Sequence, residues 1–218
     1  MTSVKLIWVT PDAENTITYC ARVSSPQNQD NYETAPKLLS YCLKQRHFSI
    51  FEMANMCVEI NTTRSISAQF IRHRSIAIQE FSQRYADTTK LGSPVMPHLR
   101  RQDTKNRQNS IDDLDAEQVQ GFYRRIATQF EEAEHLYQEM ISSGVAKECA
   151  REILPMASPT RIYANANIRS WITYIALREK SGTQMEHMKI AKDIKKIFCG
   201  QLPNIAEALG GEDNPWEL

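Results

Sequence analysis

A chain of 218 residues is long enough to bury a substantial core and too short for several large domains, so one domain spanning residues 1–218 is expected. Its 26 basic residues are balanced by 26 acidic ones, which excludes a general positive field for gathering nucleic acid or an anionic membrane and leaves only local anion sites. Five scattered cysteines, Cys20, Cys42, Cys57, Cys149 and Cys199, are odd in number and show no CxxC spacing, which argues against a disulfide framework or a zinc site and for reduced, mostly buried thiols.

The first apolar run, residues 4–9, is broken by Lys5 and ended by Pro11. It offers neither a signal peptide nor a membrane span, so a soluble, cytoplasmic protein is expected. Residues 4–10 read as a strand, and Asp12 as the cap of a helix running towards Arg22. A second helix is expected over 35–46, where Ala35, Leu38, Leu39 and Cys42 recur at helical spacing and Pro36 fits the first turn. Over 52–62 the period changes to two: Ala54, Met56, Val58 and Ile60 point one way and Asn55, Glu59 and Asn61 the other, as in a half-buried strand of an antiparallel sheet. Ile66 and Phe70, four apart, predict a short helix leading into Arg72-His73-Arg74.

Residues 94–113 are polar with almost nothing to bury and read as a mobile loop, of a length often used for functional lids. Asp115 starts the clearest helix, reaching Ser143, with Val119, Phe122, Ile126, Phe130, Ala133, Tyr137 and Met140 in one apolar stripe and Gly144 ending it. A shorter helix over 146–154 stops at Pro155. Residues 160–166 then predict a strand, 167–179 and 184–198 helices, and 205–209 a last turn. The fold class is therefore α+β, with an antiparallel sheet and a large helical part.

Glu132-x-x-His135 has the spacing of one half of a di-iron site, but no second copy occurs and a solvated helix face explains it; no metal is expected. GxGxxG, P-loop and HExxH patterns are absent, which removes support for dinucleotide-fold dehydrogenases, P-loop NTPases and zincins. Arginine outnumbers lysine by 15 to 11, and three arginines, Arg72, Arg74 and Arg84, fall within thirteen residues. Guanidinium groups so dense form a local anion site suited to phosphate or a planar heterocycle, although helix ends commonly carry such residues too.

Residues 72–85 read RHRSIAIQEFSQRY. The segment resembles the signature of the flavin-dependent thymidylate synthases (the ThyX family), which is similar to RHRxxSxNExSxRY, and matches it at Arg72, His73, Arg74, Glu80, Ser82, Arg84 and Tyr85. The resemblance keeps its order over nearly the whole chain. ARVS at 21–24, HFSIFE at 47–52, Arg151 before Leu154-Pro155, Asn167-x-Arg169, Leu177-Arg178 and Gln184-x-Glu186 all have counterparts in that family. Met53, Ala77, Gln79, Gln83 and Thr173 depart from it.

The resemblance implies reductive methylation of dUMP to dTMP, with FAD as hydride carrier and NADPH and methylenetetrahydrofolate as co-substrates. It implies that Arg178 is the catalytic cation, set against the pyrimidine where charge develops. It implies flavin contacts from Ser24, His47, Ser49, Glu52, Arg72, His73, Arg74, Glu80, Asn167, Arg169 and Thr173. The nucleotide contacts so implied are Gln69, Arg72, Glu80, Phe81, Ser82, Gln83, Arg84, Tyr85, Arg151 and Arg178, with Gln83 acting through its backbone N–H. If the helix before the signature persists, Gln69, Arg72 and His73 share a face and Arg74 points elsewhere. A homotetramer with active sites between subunits is also implied. Two other readings stay open at this point: an NADPH-oxidising flavoprotein without methyl transfer, and a nucleotide- or RNA-binding module built on Arg72, Arg74 and Arg84.

Overall fold

The computed structural model describes residues 2–217. In chain order, strand β1 (Ser3–Val9) is followed by helices α1 (Ala13–Ala21) and α2 (Ala35–Lys44), then by a 3-10 turn at Phe48–Glu52. Strand β2 (Asn55–Thr63), helix α3 (Arg64–Phe70) and strand β3 (Ala77–Glu80) come next, then the two-residue strands β4 (Arg101–Gln102) and β5 (Ser110–Ile111). Helices α4 (Ala116–Ser142) and α5 (Lys147–Ala150) precede β6 (Pro159–Asn167), and α6 (Ile168–Arg178), α7 (Met185–Gln201) and α8 (Pro203–Ala208) complete the fold. The result is the expected α+β class.

The four longer strands form a sheet in the order β1-β2-β6-β3. Its antiparallel character shows at both ends of the β2/β6 pair, where the Arg64 N–H donates to the Ser158 carbonyl at 2.9 Å and the Ile168 N–H to the Ala54 carbonyl at 3.0 Å. Both bonds keep one register, so Asn61 faces Arg161, whose Nε donates to the Asn61 side-chain oxygen at 2.8 Å. The period of two locates the buried face of β2: Met56, Val58 and Ile60 are fully buried, as is Ala54 just before the strand, while Cys57 is buried as well.

Contacts divide the chain into two compact units, and the backbone passes from one to the other within β2, β3 and β6. The α6 unit comprises Ser3–Ile60, Ile71–Ile78 and Tyr163–Leu218. Its core is made of Ile17, Leu39, Phe51, Trp171, Ile175, Ile190, Ile194 and Phe198, all fully buried. Trp171 satisfies its indole N–H on the Met56 carbonyl at 2.8 Å, so the largest core side chain leaves no polar atom stranded. α6 starts one residue after the expected helix start: Asn167 caps it, accepting from the Ser170 N–H at 2.8 Å. At the far end, Lys195 of α7 donates to Glu179 at 2.8 Å and to the Asn214 carbonyl at 2.6 Å, while Glu179 accepts the Trp216 N–H.

The α4 unit comprises Met1–Thr2, Asn61–Phe70 and Gln79–Ile162. Its 27-residue helix, about 40 Å long, is capped by Asp115 accepting from the Gln118 N–H at 2.9 Å and ends at Gly144 with φ of 82°. Within one chain the apolar stripe is only partly covered: Tyr137 is buried, Val119, Ile126, Phe130, Ala133 and Met140 are half-buried, and Phe122 is 42% exposed.

Three expectations change. The helix before the signature ends at Phe70, so Arg72, His73 and Arg74 lie in a turn closed by the Ile76 N–H on the His73 carbonyl at 3.1 Å. The turn lets Ile76 bury its side chain and lets β3 start at Ala77, and it removes the shared helical face expected for Gln69, Arg72 and His73. The stretch 94–113 contains a β4/β5 hairpin, held where Arg101 chelates Asp113 at 2.6 and 2.9 Å and where Asp103 accepts from Lys105, Asn106 and Asn109. Asp12 adopts a left-handed conformation and accepts from the Asn15 side chain, making no side-chain bond to the backbone of α1.

Candidate active site

In the α6 unit the expected flavin contacts, apart from Ser24 and from Glu80 of the α4 unit, lie on three pieces of backbone. The 3-10 turn at Phe48–Glu52 carries Ser49 and Glu52, with His47 at its N-cap position. The turn after α3 carries Arg72, His73 and Arg74, and α6 carries Arg169, Thr173 and Arg178 behind the cap Asn167. Arg169 donates to Glu52 at 2.5 Å and its guanidinium lies 5.8 Å from the Phe48 ring centroid, so the 3-10 turn and the start of α6 hold each other. Thr173 turns its hydroxyl back onto the Arg169 carbonyl at 3.1 Å, as a mid-helix threonine does. Ser24 lies exposed in the turn beyond α1.

The centre of this group is a bond between two residues 105 apart in sequence: Arg178 Nε donates to His73 Nε2 at 2.9 Å. An imidazole accepts at Nε2 only when that nitrogen is unprotonated, so a neutral His73 carries its proton on Nδ1. Burial, helped by the Arg178 charge, lowers the His73 pKa to about 4. Tyr174 stands edge-on to the His73 ring at 4.9 Å and His187 at 6.2 Å. His187 is likewise lowered to about 4, by burial first and then by the charges of Arg178 and His73. Burial also raises the Tyr174 phenol. Arg178 is thus the cation among three neutral rings, and Nη1 and Nη2 make no hydrogen bond to any described residue.

In the α4 unit the expected nucleotide contacts at 81–85 follow β3, whereas Arg72 and Arg178 lie in the α6 unit. Glu80 ends that strand; the Phe81 N–H donates to the Arg161 carbonyl at 2.9 Å and fixes the exit direction. Ser82 then opens a single turn, its carbonyl accepting from the Tyr85 and Ala86 N–H groups at 3.2 and 2.9 Å. The turn leaves Ser82, Arg84 and Tyr85 exposed, the last by 87%, and tucks the Gln83 side chain inside, 8% exposed, its Nε2 without a hydrogen bond to any described residue. Arg84 pairs with Glu148 at 3.0 Å and Arg151 with Glu152 at 3.3 Å. Exposed ion pairs of this kind contribute only ~0–1 kcal/mol, so neither guanidinium is strongly committed to its carboxylate. Gln69 lies half-buried on α3.

Residues 5–204 match the family described as thymidylate synthase complementing protein (Thy1). The "Probable flavin-dependent thymidylate synthase" of Paramecium bursaria Chlorella virus 1 is 46% identical over 214 residues, covering 95% of this chain and 98% of the relative. The chain belongs to the flavin-dependent thymidylate synthases. A member of that family from Synechocystis sp. is 47% identical over 196 residues, covering 90% of this chain and 89% of its own. One from Kosmotoga olearia is 32% identical over 192 residues, with 86% and 81% covered. The fold has a solved counterpart: the crystal structure of a UMP/dUMP methylase, PolB from Streptomyces cacaoi, bound with 5-Br dUMP, superposes with a TM-score of 0.84 at 23% identity over 99% of this chain and 98% of that one. Membership makes this chain a flavin-dependent enzyme.

The signature drew attention to His73, but the rings packed around it, Tyr174 and His187, carry no motif of their own. A weak signal existed for His187, one residue beyond the Gln184-x-Glu186 segment. Arg22, inside the ARVS segment, proves to be a buried staple that donates to the Asn31 carbonyl and to Thr34. Among the described residues, no helix is long and apolar enough to cross a membrane.

Proposed function

We propose that this enzyme methylates C5 of dUMP to give dTMP, taking the carbon from methylenetetrahydrofolate and the two electrons that convert it to a methyl group from NADPH through FAD. The observation that carries the reading is the Arg178–His73 bond. It uses the guanidinium's Nε and leaves both Nη groups for a ligand. A fixed cation bearing two parallel donors suits the N3–O4 side of a uracil, where negative charge must collect for C5 to become nucleophilic. The neutral His73 holds the cation without cancelling it, whereas a carboxylate in that position would offset the charge that the reaction needs.

FAD fits the α6 unit because exposed Arg72 and Arg74, with Arg169, supply cations for its diphosphate, and Ser24, His47, Ser49, Glu52, His73, Asn167 and Thr173 supply polar groups around them. Bound there, the cofactor supplies the hydride chemistry that no side chain can. In the α4 unit Ser82, Gln83 and Arg84, with Arg151, receive the nucleotide's phosphate, Ser82 through its hydroxyl and Gln83 through its backbone N–H. Gln69, Arg72, Glu80, Phe81 and Tyr85 address the remainder of dUMP. The whole chain serves this one activity as a single domain. It assembles as a homotetramer with active sites between subunits, for which the partly covered stripe of α4 supplies an apolar surface. Five free cysteines suit a cytoplasmic enzyme.

The test is direct. Purified protein should carry or take up FAD with a flavin absorption spectrum, and should form dTMP when given dUMP, methylenetetrahydrofolate and NADPH. Flavin reduction by NADPH with no dTMP formed would overturn the methyl-transfer reading, and a colourless protein that binds no added FAD would overturn the cofactor assignment.

A further inference from the structure

Glu80 is held in an unusual way. Arg64 Nη1 donates to its Oε1 at 2.6 Å, Ser67 Oγ donates to the same atom at 2.6 Å, and Thr160 Oγ1 does so at 2.9 Å. Three donors from α3 and β6 therefore converge on one carboxylate oxygen, while Oε2 takes no hydrogen bond from any described residue. The frame behind the donors is itself fixed. The N–H groups of Arg64 and Ser65, at the start of α3, donate to the carbonyls of Ser158 and Met156 at 2.9 and 3.0 Å, in the segment that leads into β6. Arg64 and Ser67 stand three apart on α3, so both reach over the same face of the helix.

A tie meant only to fasten β3 to α3 would be served as well by a carboxylate sharing its two oxygens between donors. Saturating one oxygen and leaving the other unused has a different result. It fixes the rotation of the carboxylate and presents a single acceptor in a set direction. The Glu80 side chain is 20% exposed and that of Arg64 35%, so the carboxylate is shielded enough to hold its geometry and open enough to meet a ligand. As an acceptor with no proton to give, Oε2 selects an N–H or O–H donor and repels phosphate oxygen.

We infer that Arg64, Ser67 and Thr160 are positioning residues of this enzyme, a three-donor clamp that aims Glu80 Oε2 at a hydrogen-bond donor of the nucleotide, either a sugar hydroxyl or the imide N–H of the base. The inference rests on the reading above that Glu80 faces the nucleotide. It adds three residues that touch no ligand and bear on how well the nucleotide is received.

The experiment uses FAD-loaded protein. The affinity for dUMP is measured by calorimetric titration, and KM and kcat for dTMP formation are measured for the wild type, Arg64→Met, Arg64→Lys, Thr160→Val, Glu80→Gln and the Arg64→Met/Glu80→Gln pair. Arg64→Met should weaken dUMP binding by roughly tenfold and raise KM more than it lowers kcat, with flavin content unchanged, the scale of one misdirected hydrogen bond. Arg64→Lys, which restores a cation and a donor, should recover most of that loss. Thr160→Val keeps the shape of the strand residue and should weaken binding about threefold, which maintains a test even if Arg64→Met fails to fold. The double variant should bind dUMP no worse than Glu80→Gln alone, because the clamp has no effect once the acceptor is gone. Wild-type dUMP affinity in both Arg64→Met and Thr160→Val would overturn the clamp, as would losses that multiply in the double variant. A wild-type protein that makes no dTMP strikes the proposed function itself, whereas turnover by the wild type with unaffected clamp variants strikes this inference alone.

Discussion

Replacing Lys195 by Met should cost this protein a large part of its stability. The ammonium donates to Glu179 at 2.8 Å and to the Asn214 carbonyl at 2.6 Å, and lies 5.1 Å from the centroid of the Trp216 ring. The Lys195 and Glu179 side chains are 4% and 5% exposed, so solvent cannot take over when the partner is removed. Met matches the lysine stem closely and leaves little cavity; the loss comes from stranding the Glu179 carboxylate with the Trp216 N–H as its remaining donor. Removing one partner of a buried pair typically costs ~3–5 kcal/mol. For a chain of this length each kcal/mol lowers the melting temperature by about 2–4 °C, which gives a fall of roughly 6–20 °C. Thermal unfolding followed by circular dichroism reads this directly, and adding Glu179→Gln to the variant should return a good part of the loss by neutralising the stranded charge. A melting temperature within about 2 °C of the parent would refute the reasoning. Glu179 directly follows Arg178, so dTMP formation should fall in the same variant even at temperatures where it stays folded.

Arg178→Ala should lower dTMP formation by about 10²–10³-fold, the usual effect of deleting a preorganised electrostatic donor, with flavin content kept; near-normal turnover would remove the cation from the chemistry. Ser82→Ala should weaken dUMP more than FAD, as titration of each ligand separately would show, and an unchanged dUMP affinity would exclude its side chain from the site. Acid should destabilise the ligand-free protein through His73 and His187, both lowered from 6.5 to about 4 in the fold. Above 6.5 both states are neutral and nothing is lost. Between 6.5 and 4 the unfolded chain takes up protons that the fold refuses, so stability drops by up to about 1.4 kcal/mol per pH unit for each ring. Denaturant titrations across that window should show the slope, and His187→Phe should reduce it; equal slopes in the two proteins would count against the assignment.

Local signals in the sequence were enough for much of the scaffold. The alternation through Met56, Val58 and Ile60 located a strand and its buried face, and Asp115 and Asn167 both cap the helices they precede, because a side-chain oxygen there meets an N–H that lacks an intrahelical partner. The signature turn was less legible. Helical spacing from Ile66 to Phe70 gives no reason to stop, and the break after Phe70 follows from the need to bury Ile76 and enter the sheet. The hairpin inside 94–113 is held by Asp103, Arg101 and Asp113, polar residues that read as loop whether they are tied together or not. Within the site, the resemblance named His73 and Arg178 individually, and only the packing of α6 shows that they bond. The clamp on Glu80 lay outside any motif, since Arg64, Ser67 and Thr160 are brought together by strand pairing and have no shared spacing.

The carboxylates beside Arg84 and Arg151 affect traffic through the proposed reaction. In the proposed binding mode Glu148 and Glu152 compete for the guanidinium groups that receive the phosphate, so an arriving phosphate displaces a tethered anion and a departing one is replaced by it. Substrate and product carry the same phosphate and differ by one methyl group, so a site that gripped that phosphate without a rival would retain dTMP as firmly as dUMP. With the rival built in, some tightness of capture is exchanged for faster clearance.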